Sequence, residues 1–468
     1  GARETAVEAD RVEREALARI APPAELWTRV RAATARLTER AASAAARRGS
    51  PVVRCVVAGS AARGTFLFDR LDIDLFLLFP PTLGRSDLER EGIALARDLL
   101  EQPEMRYAEH PYLRGRFEGF AVDAVPGYAI EDPSKPLSAV DRTPFHQEYV
   151  ARRLTDRLIG EIRLAKQFAR TLGIYGSEAR TGGCSGYLVE LLVLRFGSFR
   201  GLLEAARGWS IPVRLPTDPT ARPRVPDDVA LILDDPVDPH RNVATALSRR
   251  NLALLVLGAD EYLRRPGREA FEPAPPPVVR LEEAIRAVEA RGTHVAFVAM
   301  ARPPLVDDVL FPQLRKAERA IAEEAGRLGF RVVGSAAAAG PLIAVVGLET
   351  DRSEIPRVQV RDGPPAGLDR GASFLERWRS GEPTIVQGPY VAEDGRLRVE
   401  TRREEVRLEP LLDHALPELS VGKDLRTVLV PPVRFRPLSE AEPTEELAIA
   451  LGGLLGKRLP WRRPPTGP

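Results

Sequence analysis

Gly59-Ser60-Ala61-Ala62-Arg63-Gly64-Thr65, followed by Asp72-Ile73-Asp74-Leu75-Phe76, is the stretch whose reading decides the fold. Leu71 to Phe79 reads as a strand, because Leu71, Ile73 and Leu75 alternate with the two aspartates. Carboxylates two residues apart on a strand point to the same face, roughly 7 Å apart. Such a ledge accumulates like charge, which a divalent cation relieves; two Mg²⁺ about 3.5–4 Å apart orient a hydroxyl nucleophile and a leaving pyrophosphate. Just upstream, the β-branched run Val52 to Ala58 reads as a buried strand, and Gly59 to Gly64 as a turn of small residues. Backbone N–H groups and the Ser60 hydroxyl can meet phosphate oxygens there, with Arg63 supplying fixed positive charge. An Asp-x-Asp by itself is commonly a turn or a solvated edge; the preceding Gly-Ser turn and the strand context reverse that reading. A third carboxylate, Asp123, stands in the apolar strand Phe117 to Val125, ended by Pro126 and Gly127. An Asp in such company is costly unless paired or bound to metal.

The rest of the chain sets the scale. Its 468 residues suggest about three domains. The 44% hydrophobic content is ordinary for a globular protein, and no stretch approaches the roughly 20 apolar residues of a membrane span. Without a hydrophobic leader in Gly1 to Arg48, a cytoplasmic address is expected. Two cysteines, Cys55 and Cys184, exclude a disulfide framework and a Cys-rich zinc site, and read as small buried residues. The five histidines (His110, His146, His240, His294, His414) are scattered, so any metal must be held by oxygen, which points to a hard ion such as Mg²⁺.

Glu4 to Arg48 reads as long helix, broken near Ala21-Pro22-Pro23; Ser86 to Glu101 reads as helix, and Ala151 to Trp209 and Asn242 to Leu263 are helical. The Pro-rich run Arg265 to Pro277 is the clearest boundary. An αβ region follows, with strands at Thr293–Met300, Arg331–Val333 and Leu342–Val346 and a helix over Pro312–Leu328. The expected fold is α+β and multidomain: a head with a short mixed sheet (residues 1–150), a helical central domain (151–264), and an αβ body and tail (279–468). Pro460 to Pro468 is expected to be disordered. Overall charge is only +2, from 68 basic and 66 acidic residues, so bulk balance gives no vote for nucleic acid. Locally, Ala151 to Gly208 carries ten Lys/Arg against five Asp/Glu, and the tail carries Lys457, Arg458, Arg462 and Arg463 with no acid; such patches fit phosphate contacts. Lysine is almost absent, with Lys135, Lys166, Lys316, Lys423 and Lys457 the whole set.

Gly59-Ser60…Arg63…Asp72-Ile73-Asp74 resembles the signature of the DNA polymerase β-like nucleotidyltransferase superfamily. Further segments resemble the archaeal, class I, CCA-adding enzymes: His110-Pro111-Tyr112, Phe120 to Pro126, Ser138 to His146, Glu161 to Phe168, Gly173 to Glu178, Gly182 to Glu190 and Asp235 to Ala244. The resemblance runs from about Ser50 to Val430 and is most specific in its first half. It implies template-independent addition of C, C and A to the 3′ end of tRNA from CTP and ATP, by two-metal-ion nucleotidyl transfer with release of pyrophosphate. It implies that Asp72 and Asp74 bind both metals, with Asp123 holding the catalytic metal and helping to activate the tRNA 3′-hydroxyl. Ser60 and Arg63 would contact the triphosphate, joined by Lys166 and Tyr175 from the central domain. His146 would lie near the sugar and phosphates, and Arg241 would help select the base. The C-terminal half would grip the acceptor and TΨC arms by shape, and a homodimer is implied by the family alone. One departure is visible: the first metal position, often Glu in relatives, is Asp72, one methylene shorter with its oxygen ligand kept.

Read without the resemblance, Lys166 and Tyr175 face one cleft if the helix Ile162 to Thr171 and the following Gly-flanked turn form, although a surface Lys and a packed Tyr suit the same pattern. His146 alone reads as a core or helix-start histidine, and Arg241 alone says little in so Arg-rich a chain. Ser185 reads as a helix N-cap, since no Gly-x-Ser-x-Gly elbow surrounds it. Two other functions compete: a poly(A)-type or small-molecule nucleotidyltransferase, and an inactive RNA-binding relative. The long C-terminal half opposes the former, and the presence of all three carboxylates the latter.

Overall fold

Small apolar residues recurring every third or fourth position make two helices of the N-terminal segment, α1 (Ala2–Ile20) and α2 (Ala24–Arg48), separated where Pro22 and Pro23 interrupt the hydrogen-bond ladder. The computed structural model describes residues 2–107, 111–218, 220, 222–223, 225–365, 369–379 and 384–461. The two helices serve different cores. Val12, Ala16 and Ile20 of α1 join the helical core of the central region, whereas Val30, Leu37, Ala41 and Ala44 of α2 join the core under the head sheet.

The head continues with β1 (Arg54–Ala58), α3 (Gly59–Arg63), β2 (Asp72–Phe79), α4 (Arg85–Leu99), β3 (Glu101–Tyr107), β4 (Pro111–Phe117) and β5 (Phe120–Tyr128). These strands form one mixed sheet in the order β1-β2-β5-β4-β3. Only the β2–β5 pairing is parallel; the others are antiparallel. Gly59 to Gly64, expected as a turn, is a short helix: Gly59 enters it at φ +81°, and Gly64 closes it in the left-handed region with its N–H on the Ser60 carbonyl. The expected third strand also differs. It starts at Phe120 and runs through Pro126 to Tyr128, because β4 pairs with β5 only as far as Ala124, so the missing N–H of Pro126 falls where β5 is paired on one side. The hairpin β3–β4 has no clear sequence signature, since Glu101 to Tyr107 is mostly exposed and shows no apolar alternation.

The helical region comprises α5 (Thr143–Ala151), α6 (Asp156–Thr171), α7 (Gly186–Phe196), α8 (Phe199–Ala206), two short strand pairs formed by β6 (Val213–Arg214) with β7 (Leu231–Ile232) and β8 (Asp234–Asp235) with β9 (Asp238–Asn242), and α9 (Arg249–Arg264). Ser185 caps α7 as expected, accepting from the Leu188 N–H. The helix expected from Asn242 starts seven residues later, at Arg249 under a Ser248 cap. Asn242 instead ends β9, and its amide is spent on the backbone: it donates to the Leu231 carbonyl and accepts from the Leu233 and Ala244 N–H groups. Residues 1–274 and 459–468 form one compact unit. Leu459 and Trp461 pack on its helical core rather than lying free, while Arg462, Arg463 and the remainder of the tail are outside the described residues.

Residues 275–458 form the second unit. It contains α10 (Leu281–Arg291), β10 (His294–Ala301), α11 (Asp307–Leu328), β11 (Val332–Ala339), β12 (Ile343–Thr350), β13 (Val358–Pro365), α12 (Asp369–Arg377), β14 (Ile385–Val391), β15 (Arg396–Arg402), α13 (Leu408–Ala415), α14 (Leu425–Val428), β16 (Arg436–Pro437) and α15 (Glu445–Leu455). One sheet runs β11-β12-β10-β16, sandwiched between the α11 core and the α10–α15 core; a second runs β13-β15-β14. Among the described residues, no helix is long and apolar enough to cross a membrane.

Candidate active site

The parallel register of β2 and β5 sets Asp74 directly beside Asp123, and Asp72 beside Ala121 two positions away on the same face. Ile73, Leu75 and Val122, between and beyond them, point into the head core. The sheet thus collects three carboxylates by the same alternation that buries its other face. Burial pushes the Asp74 carboxyl up to about 7, with the Asp123 and Asp72 charges adding to it. Burial also raises Asp123, against the opposing pull of Arg114. Gly59 is required at the end of β1: a Cβ there would stand 2.5 Å from the Asp74 Oδ2.

Arg114 spans the ledge from β4, in register with Asp123. It donates to Asp72 Oδ1 at 2.5 Å and to both Asp123 oxygens at 3.0 and 3.2 Å. Among the described residues no group of three His, Cys, Asp or Glu side chains is gathered as a metal cage; a guanidinium draws Asp72 and Asp123 together instead. The donor set still suits a hard divalent ion. All three candidate ligands are carboxylates, Asp72 is exposed, and the site already concentrates positive charge between its acids.

On the next layer, Ser60 lies half-buried in α3, and Arg63 is nearly buried at its end. Arg63 does not reach outward. Its Nη2 donates to Glu190 Oε2 at 2.7 Å and its Nη1 to Gln147 Oε1 at 2.6 Å, while its buried Nε has no partner. Lys166, only 1% exposed, donates to Glu190 Oε1, the Thr65 carbonyl and the Thr65 hydroxyl, each at 3.1 Å. Burial opposes ionisation of Glu190, but Lys166 and Arg63 outweigh it and hold that carboxyl below its ordinary value. Tyr175 converges with Lys166 on Gly186, the first residue of α7: a Cβ there would lie 3.3 Å from the Tyr175 hydroxyl and 3.7 Å from the Lys166 Nζ. The two residues therefore do face one place, as the helix-and-turn reading required.

A second buried carboxylate organises the remaining candidates. Asp235 Oδ2 lies 2.7 Å from His146 Nε2 and accepts from Arg241 Nη1 at 2.8 Å; Asp235 Oδ1 accepts from the Tyr187 hydroxyl at 3.0 Å. His146 stacks on Tyr187, with ring centroids 4.1 Å apart. Gln147, next to His146 on α5, reaches Arg63, so one helix touches both buried clusters. His110 lies outside the described residues. Three residues that organise these groups, Arg114, Glu190 and Asp235, carry no assignment from the sequence. Glu190 had a signal, a single acid in Leu188-Val189-Glu190-Leu191-Leu192; Arg114 had none, because its role depends on cross-strand register.

The second unit holds a cleft of about 870 Å³ lined by Arg327, Arg361, Arg402, Arg403, Trp378 and His414 among others. Glu404 and Glu405 line it too, so the surface is mixed in charge with arginine in excess.

Residues 39–146 match the nucleotidyltransferase domain family, 160–272 the second domain of tRNA nucleotidyltransferases, and 291–432 the C-terminal domain of CCA-adding enzymes. The CCA-adding enzyme of Haloarcula marismortui is 41% identical over 364 residues, which cover 74% of this chain and 77% of that protein. That of Halobacterium salinarum is 40% identical over 375 residues, 80% of this chain and 81% of the relative. That of Archaeoglobus fulgidus is 39% identical over 341 residues, 73% of this chain and 77% of the relative. Among solved structures, CdnC of E. coli MS115-1 aligns with a TM-score of 0.43 at 19% identity, covering 56% of this chain and 94% of that one. With similarity of this extent and family matches over residues 39–146, 160–272 and 291–432, the chain belongs to the family of CCA-adding enzymes.

Proposed function

We propose that this chain adds C, C and A to the 3′ end of tRNA from CTP and ATP without a nucleic-acid template. The observation that carries the reading is the in-register placement of Asp74 beside Asp123, with Asp72 on the same face. In this reading the head (1–150) supplies the chemistry, the central region (151–264) completes the nucleotide pocket, and residues 279–468 hold the tRNA. Asp72, Asp74 and Asp123 would hold Mg²⁺, and Arg114 must yield its contacts with Asp72 and Asp123 as they do so. Bound Mg²⁺ supplies charge neutralisation at the triphosphate and acidifies the attacking hydroxyl. The 3′-hydroxyl oxygen of tRNA bonds to the α-phosphorus as the bond to the β-phosphate oxygen breaks, and pyrophosphate leaves. Asp123 would hold the metal next to the attacking hydroxyl and so help to activate it. Ser60 and the α3 backbone would contact the triphosphate. Arg63 and Lys166 would contribute positive potential from behind Glu190 unless substrate draws them out, and Tyr175 would border the same pocket. His146 and Arg241 would meet the sugar and base. The arginine-lined cleft of the second unit offers phosphate donors for RNA, which predicts salt-dependent affinity.

The test is incorporation into tRNA ending at the discriminator nucleotide, with Mg²⁺ and CTP or ATP singly and together. Two C residues are expected with CTP alone and the complete C-C-A only with both. A long A tract from ATP alone would overturn the proposal in favour of a poly(A)-type polymerase.

A further inference from the structure

We propose that Asp235 is a positioning residue for nucleotide selection, its buried carboxylate fixing Arg241, His146 and Tyr187 as one unit. This rests on the reading that the pocket takes CTP and ATP. Asp235 is fully buried, and each of its oxygens has two partners: His146 Nε2 and Arg241 Nη1 at Oδ2, the Tyr187 hydroxyl and the Val237 N–H at Oδ1. The three side chains come from three different elements, α5, α7 and β9. No helix or strand by itself sets them relative to one another; the shared carboxylate does. Arg142, reaching from the start of α5 to Asp238 of β9 at 2.7 Å, ties down the same two segments a few residues away.

The consequence for a base follows from hydrogen-bond chemistry. Arg241 commits one N–H to Asp235, and its side chain is 37% exposed, so its other N–H groups remain available to a nucleotide. Cytosine N3 and adenine N1 are acceptors beside an exocyclic amine. Uracil N3 and guanine N1 are donors beside a carbonyl. A guanidinium held still in front of that ring nitrogen donates to it in cytosine and adenine, and meets an opposing N–H donor in uracil and guanine. A guanidinium free to swing would satisfy the carbonyl of uracil or guanine instead. Discrimination therefore depends on immobility, which an unheld arginine side chain, with its full rotamer freedom, lacks. Asp235 also neutralises Arg241, so that it does not act merely as another phosphate-binding charge.

The experiment is single-nucleotide incorporation by full-length Asp235→Asn, using CTP against UTP on tRNA lacking C-C-A and ATP against GTP on tRNA ending in C-C. Both preferences should fall roughly ten- to a hundredfold, the factor for a lost hydrogen bond to a charged group. The loss for CTP and ATP should appear mainly in KM, with kcat changing less. Tyr187→Phe, which removes one of the four donors, should move both preferences the same way by a smaller factor. Unchanged preferences in folded Asp235→Asn overturn the proposal, as does a uniform fall in kcat for all four nucleotides. Should Asp235→Asn fail to fold, Tyr187→Phe and Asp235→Glu decide: reduced preference supports the positioning role, and unchanged preference in both overturns it. Failure of the unmodified chain to use CTP and ATP at all would overturn the activity reading, and this inference with it.

Discussion

Asp74→Asn is expected to abolish 3′-end addition while leaving tRNA affinity within about twofold, because phosphate contacts made elsewhere dominate RNA binding. Asp74 is the most buried of the three acids and stands between the other two charges. If Asp74 holds metal as proposed, removing its charge takes away a ligand for which the strand register offers no substitute. Metal assistance contributes several kcal/mol to such transfers, so a loss of roughly a thousandfold or more is expected. Single-turnover incorporation beside a filter-binding titration checks it; near-normal turnover would remove the metal assignment.

The same variant tests the electrostatics without any turnover. In the unfolded chain Asp74 titrates near an ordinary carboxylate, about 4; in the folded, metal-free protein its carboxyl is pushed up to about 7. The folded state thus binds this proton more tightly. The resulting stability is fully present below the unfolded value and is lost as pH rises through the folded one. Over that window the loss is at most about 4 kcal/mol. In EDTA, the melting temperature of the unmodified protein should decline between about pH 4 and pH 7 more steeply than that of Asp74→Asn. Asp123, also raised, leaves the variant a smaller slope of the same sign. Mg²⁺ should reduce the decline in the unmodified protein by stabilising the ionised form. Parallel curves in EDTA would show that Asp74 carries no such penalty.

How much of this was legible beforehand follows from the range of each interaction. The alternation in Leu71 to Phe79 and the capping serine at 185 are local, and both survive in the structure. The placement of Lys166 near Tyr175 was legible because a helix and a glycine turn are local too. The left-handed entry at Gly59 was not, since its reason is an oxygen of Asp74 fifteen residues away. Asn242 misled because helix periodicity says nothing about a side-chain amide claimed by the backbone of Leu231 and Leu233. Arg63 and Lys166 show the limit most clearly. Composition marks them as cations suited to phosphate, but not that both turn inward onto Glu190, because that acid is 127 residues from one and 24 from the other.

That inward arrangement makes Glu190→Ala the second large expected effect. The carboxylate is fully buried and accepts from Arg63, Lys166 and the Thr65 hydroxyl. Deleting it strands two buried cations, one of which already has an unpartnered Nε. Breaking a buried ion cluster from one side costs about 3–5 kcal/mol, which for a unit of this size lowers the melting temperature by roughly 6–20 °C. Lys166→Met should cost less than Glu190→Ala, because Glu190 keeps Arg63 and Thr65 as partners, and Glu190→Gln should fall between them. Thermal melts of the three variants check the order. Equal losses for Lys166→Met and Glu190→Ala would mean that packing volume, not charge, governs the site. The cluster joins α3 and the Thr65 loop of the head to α6 and α7 of the central region, beside Arg163, which donates to the Gly64 and Phe66 carbonyls. Weakening it should therefore loosen the pocket as well as the fold: the KM for nucleotide should rise in Glu190→Gln even at temperatures where that variant is fully folded. A variant that is destabilised but keeps its KM would confine Glu190 to stability, and would place the triphosphate on Ser60 and the α3 backbone without help from the two buried cations.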